Sequence, residues 1–153
     1  MNLDADLVFR LGNLAALLAW VALAASPPAA RWTPWVWRIA GRALPLAFAA
    51  VYGLLLLGPL PPGSGFGSIA EVQALFAAPR ALTAGWLHYL AFDLFVGTWI
   101  AQRAASLGLP HWQVLPLLGL TFLFGPLGFA AFIALRAVRR PQSLRVGAVG
   151  AGS

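Results

Sequence analysis

Four times between Leu7 and Arg136 the chain runs through an apolar stretch about as long as a bilayer is thick, and each stretch ends at proline, glycine or arginine. A hydrocarbon core of about 30 Å needs about 20 helical residues at about 1.5 Å of rise each. The runs cover about residues 7–25, 34–58, 80–103 and 112–136. They predict an all-α polytopic membrane protein with four transmembrane helices. Composition points the same way: 61% of the residues are hydrophobic and 9% charged, too few charges to keep a separate soluble domain dispersed in water.

The breaks carry their own signals. The first run ends in ALAAS, which imitates a signal-peptidase site, but Asp4 and Asp6 stand where a signal segment needs positive charge, so an uncleaved helix is expected. Thr33 followed by Pro34 gives an N-cap and a first-turn proline to open the second run. Trp32, Trp35 and Trp37 with Arg38 and Arg42 form an interfacial belt there. PLPPGSGFGS, residues 59–68, cannot span, since its prolines and glycines break any helix. In SIAEVQALFAAP, Ser68 and Glu71 make a capping box, and Ile69, Val72, Leu75 and Phe76 form one apolar stripe. A short amphipathic interfacial helix over about residues 68–78 is predicted, with Pro79 opening the third run. Residues 1–140 then make a single membrane domain, and 141–153 a polar, disordered tail.

All ten basic residues are arginine, and the net charge is +6. Arginines at helix ends suit anionic lipid headgroups, and the bilayer is the first partner expected; no basic face remains for nucleic acid. Four spans put Arg31, Arg38, Arg42 and Arg103 on one side and Arg10, Arg80, Arg136, Arg139, Arg140 and Arg145 on the other, 4 against 6. That favours cytoplasmic termini by little, and a dual-topology protein would show the same near tie. The short loops and the lack of a transit segment suggest a bacterial inner membrane; a homo-oligomer stays open. There is no cysteine, no CxxC, HExxH, phosphate loop or serine elbow, and His88 and His111 fall on opposite sides of the bilayer. Neither a metal nor a cofactor is expected, and chemistry is left to acid–base groups or to binding.

Asp93 lies roughly 13 residues, about 20 Å, into the third run, near the midplane. A charge there costs several kcal/mol, so this carboxyl is paired, protonated or facing water. It is either interhelical glue or a proton donor or substrate anchor. His88 stands about 140° around the helix from it, whereas Tyr89 shares its face. Running the helices alternately brings Arg10, Asn13, Tyr52, Glu71 and Arg80 towards the end that holds His88. Capping accounts for Glu71, snorkelling for Arg80 and interhelical bonding for Asn13 equally well. In TFLFGPLGF, Pro126 predicts a kink that frees the Phe122 carbonyl, and Gly125 and Gly128 admit close approach of a backbone or a flat ligand. The candidate catalytic residues are His88, Asp93, Glu71 and Arg80; the candidate substrate contacts are Asn13, Tyr52, Trp86, Tyr89, Phe92 and Pro126.

Trp86-x-His88-x-Leu90-Ala91-x-Asp93-Leu94-Phe95, with Glu71 and Phe76 ahead and Phe124-Gly125-Pro126-x-Gly128 behind, resembles the abscisic-acid-deficient-4-like family of four-helix membrane proteins over about residues 5–138. The plant members are neoxanthin synthases. The resemblance implies opening of a carotenoid 5,6-epoxide while a proton leaves the polyene to form an allene, without a redox cofactor. It would make Asp93 the acid and His88 the acceptor of the polyene proton, with Arg80 or Tyr89 as alternatives for polarising the oxygen. Three functions follow: a carotenoid or isoprenoid binder or isomerase, a small proton-coupled transporter working through Asp93, and a structural or accessory membrane subunit.

Overall fold

The computed structural model describes residues 4–139, and all regular structure among them is helical. Helix α1 is Ala5–Ala24; its N-cap, Asp4, accepts from the backbone N–H groups of Asp6 and Leu7 at 3.0 and 3.4 Å. Asp6 pairs with Arg10 one turn on, at 2.9 Å and largely in the open. The acidic leader is thus a helix start, where negative charge meets the positive end of the helix dipole.

Helix α2 (Thr33–Arg38) passes through a π-helical turn (Ile39–Ala43) into α3 (Leu44–Leu56). Pro45 explains the widened turn: it has no N–H for the Gly41 carbonyl, and its ring needs the room that an i→i+5 turn gives. The short α4 (Ile69–Phe76) starts at the Ser68 cap, and α5 (Pro79–Ser106) follows it. Among the described residues two helices are long and apolar enough to cross a membrane, Ala5–Ala24 and the continuous Thr33–Leu56. The 28-residue α5 is longer still, about 42 Å, but carries His88, Asp93 and an arginine near each end.

Helix α5 is the hub, packed against every other helix except α2. Small residues set its distances. A Cβ on Gly12 of α1 would lie 2.7 Å from a Leu87 methyl, and one on Gly41 would lie 2.6 Å from the Thr98 methyl. Trp20 of α1 seats its ring on Gly97 in the same way. These pairs give the register: α1 runs parallel to α5, and the α2–α3 segment antiparallel to both. Leu87, Leu94 and Ile100 are buried between them, while Leu11, Leu18, Val21, Leu46 and Phe92 face outward.

The fourth apolar run departs from the expectation of a single kinked span. It is two helices, α6 (His111–Phe124) and α7 (Pro126–Val138), of 14 and 13 residues. Each is about 20 Å long, short of the 30 Å or so that a crossing needs. Gly125 joins them at φ 38° and ψ −91°. A Cβ on Gly128 would lie 2.5 Å from the Thr121 nitrogen and 2.6 Å from its Cα, although residues seven apart in a continuous helix are about 10 Å apart. The chain therefore turns back at Gly125. Helix α7 returns along α5 towards that helix's C-terminal end, with the rings of Phe129 and Phe132 at 5.7 and 5.5 Å from Trp99. Proline alone bends a helix; glycine at positive φ with a bare contact surface at Gly128 lets this one reverse. The tail assigned to residues 141–153 lies outside the described residues.

Candidate functional site

The tip of the α6–α7 turn meets Asp93. A Cβ on Gly125 would lie 2.7 Å from Asp93 Oδ1, so the carboxyl rests directly on the glycine backbone. Asp93 is 8% exposed, and its Oδ2 is buried with no hydrogen-bond partner among the described residues. Pro126 lacks an N–H, which leaves the Phe122 carbonyl without its helical donor, and the Tyr89 hydroxyl stands 3.5 Å from that oxygen. The freed carbonyl foreseen from Pro126 is present, at a break in place of a kink. A helix end, a carboxyl and a phenol thus gather at one depth.

From Asp93 a groove of about 380 Å³ opens between α1, α5 and α6, walled by Asn13, Trp20, Trp86, Tyr89 and Phe122. Trp86 Nε1 donates to Asn13 Oδ1 at 2.8 Å, so the two polar groups of the groove's wall hold each other. The Trp86 and Tyr89 rings lie 5.3 Å apart, and Trp20 meets Phe122 edge-on at 5.6 Å. The result is an aromatic wall with one carboxyl at its end. Of the residues singled out in the sequence, Asn13, Trp86, Tyr89 and Asp93 come together here. Trp20 was not among them, although it stands seven residues after Asn13 and so shares its helix face.

The other candidates do not join this site. His88 is exposed on the α3 flank of α5, its ring 5.7 Å from Tyr52 and 4.7 Å from Phe92. The roughly 140° between His88 and Asp93 is therefore real separation, and the expected acid–base pair is not brought into one cavity. Arg80 donates to the Leu55 carbonyl at 2.9 Å and packs over Gly58, where it closes the C-terminal end of α3. The Glu71 N–H donates to Ser68 Oγ at 3.2 Å, which is half of the expected capping box, and Glu71 Oε2 accepts from the Gly67 N–H at 2.9 Å, one residue before the cap, in place of the Ser68 N–H. Both side chains are occupied as structural caps. Pro126 shapes the turn without lining the groove. His111 Nε2 lies 2.7 Å from the Ala24 carbonyl, tying the start of α6 to the end of α1. No three His, Asp or Glu side chains come together among the described residues.

A family model described as ABA DEFICIENT 4-like matches residues 7–132. The matched stretch takes in α1 to α6, the turn at Gly125 and half of α7. No curated protein and no solved structure matches the chain. The chain belongs to the ABA DEFICIENT 4-like family.

Proposed function

We propose that this ABA DEFICIENT 4-like protein is embedded in a membrane, binds a carotenoid or a related isoprenoid lipid in the Asp93 groove, and isomerises it by acid–base chemistry without a redox cofactor. The observation that carries the reading is the buried Asp93 carboxyl, one oxygen unpartnered, at the end of an aromatic groove. A flat polyene complements the faces of Trp86, Tyr89, Trp20 and Phe122, and such faces contribute most where water is excluded.

Asp93 gives its proton to the oxygen of an epoxide end group, and the C–O bond breaks towards that oxygen. A proton leaves the neighbouring polyene carbon and its electron pair becomes the new double bond, so the product is an isomer. With His88 on the far flank, the Asp93 carboxylate formed in the first event is the group in place to take that proton. Tyr89 orients the oxygen through its hydroxyl.

Three helices, α1, α2–α3 and α5, cross the bilayer in this reading, and α6–α7 enters and leaves on one side. The outward leucines of α1 and α3 support a lipid-facing surface. The turn at Gly125 also redistributes the charges: Arg31, Arg38, Arg42, Arg103, Arg136 and Arg139 gather at one end, against Arg10 and Arg80 at the other. Six against two, among the described arginines, replaces the near tie of a four-span layout and directs the arginine-rich end to the cytoplasm.

One observation favours a second reading, a proton-coupled transporter. Two half-length helices meeting an intramembrane carboxyl is how many secondary transporters build a substrate site. The two separate by experiment: in a host that makes epoxy-carotenoids, an isomerase yields a new pigment of unchanged mass, whereas a transporter leaves the pigments alone and moves protons in vesicles.

A further inference from the structure

A second groove, of about 410 Å³, lies on the opposite flank of α5, between Pro45, Leu46 and Ala49 of α3 and Ala91, Phe92 and Phe95 of α5. Its lining is apolar except at one end, where Arg42 stands. The π turn puts it there: one extra residue in the turn shifts every later side chain by about 100° around the helix, and such insertions recur at functional sites.

Among the described residues Arg42 is a cation with no anion paired to it. The one ion pair among the described residues is Arg10 with Asp6, while Glu71 caps α4 and Asp93 faces the other flank. Its depth is fixed by its neighbour Gly41, which packs on Thr98, five residues and about 7.5 Å along α5 from Asp93. With Asp93 near the midplane, Arg42 sits inside the hydrocarbon half of about 15 Å, where an unpaired guanidinium is costly. Arg38, four residues before Arg42 and outside the groove's lining, stacks on Trp35 at 4.9 Å and is a second guanidinium about one helical turn from the first.

We infer that this groove holds an anionic phospholipid of the bilayer, its phosphate on Arg42 and Arg38 and one acyl chain running down past Leu46 and Ala49 against Phe92 and Phe95. A guanidinium fork matches phosphate oxygens in pairs, and the acyl chain covers an apolar channel that no helix among the described residues fills. The inference rests on the membrane reading given above and uses the depth of Asp93 but not the chemistry proposed for it.

The test uses the purified full chain in neutral detergent and follows its melting temperature as phosphatidylglycerol or phosphatidylcholine with identical chains is added. Phosphatidylglycerol should raise the melting temperature by roughly 5–10 °C more than phosphatidylcholine at saturation. Arg42→Gln should abolish that difference and Arg42→Lys should keep part of it. Ala49→Trp, which blocks the channel and leaves Arg42 in place, should also abolish it and answers the question if Arg42→Gln does not fold. Asp93→Asn should leave the preference intact. Equal shifts with the two lipids, a full preference retained by Arg42→Gln or Ala49→Trp, or the same shift with inorganic phosphate alone would overturn the inference.

Discussion

Asp93 and Gly125 touch: the carboxyl of the central helix rests on the bare backbone of the residue where the last apolar run reverses. Each explains the other. The glycine has no side chain because the carboxyl occupies its place, and the carboxyl is held at the end of an aromatic groove because the chain turns under it.

Gly125→Ala is expected to disturb both. It adds a methyl where Asp93 Oδ1 already lies and asks alanine to hold a positive φ, so a loss of about 1–3 kcal/mol in stability is expected. Thermal melts in detergent measure it. A variant as stable as the parent would mean that the turn has no need of glycine.

The reversal at Gly125 predicts that reporters placed at Gly108 and after Arg139 score on the same side of the membrane, since α6 goes in and α7 comes out. A reporter before Asp4 should score on the other side. Opposite results for Gly108 and Arg139 would restore four full spans.

Arg80 and Glu71 are expected to matter for folding alone. Arg80→Met removes the donor to the Leu55 carbonyl and should cost about 1–3 kcal/mol. Ser68→Ala and Glu71→Ala open the capping box for about 1 kcal/mol. Ligand retention per folded molecule should be unchanged in all three. A selective loss of ligand with normal melting would return the residue to the site.

Local chemistry made much of this molecule legible in its sequence. Ser68 with Glu71 announces a helix start because capping depends on residues within one turn, and Pro34 marks the second start; Thr33, expected as the cap there, is instead the first helical residue, its hydroxyl donating to the Pro27 carbonyl at 2.7 Å while no side chain caps that end. Asn13, Trp86, Tyr89 and Asp93 stood out because polar and amphipathic side chains are rare in apolar runs. What the sequence hid depends on packing. A Gly-Pro pair in a hydrophobic run reads equally as a kink or a corner, and the choice is made by Gly128 against Thr121, seven residues apart. His88 looked like a partner for Asp93 because both sit at unusual depth, yet α3 claims one face of α5 while α1 and α6 claim the other. The π turn had a signal in Pro45, legible only once the helix around it is known to continue.

Trp86 and Asn13 test the groove itself. Asn13→Leu removes the acceptor of the indole N–H and leaves a polar group unpaired beside the ligand; a loss of about 1–2 kcal/mol in stability is expected, together with weaker retention of pigment. Absorbance of co-purified pigment per mole of protein reads the second effect. Full pigment retention would place the ligand elsewhere.

The most direct measurement is chromatography of pigments from a host that makes epoxy-carotenoids and expresses either the parent chain or Asp93→Asn at matched levels of folded protein. Asparagine keeps the shape at Gly125 and removes the transferable proton. The expected result is a new carotenoid of unchanged mass with the parent chain, its loss with Asp93→Asn, and melting temperatures within a few degrees of each other. Identical pigments with and without the parent chain, or undiminished product from a well-folded Asp93→Asn, would contradict the role given to this carboxyl.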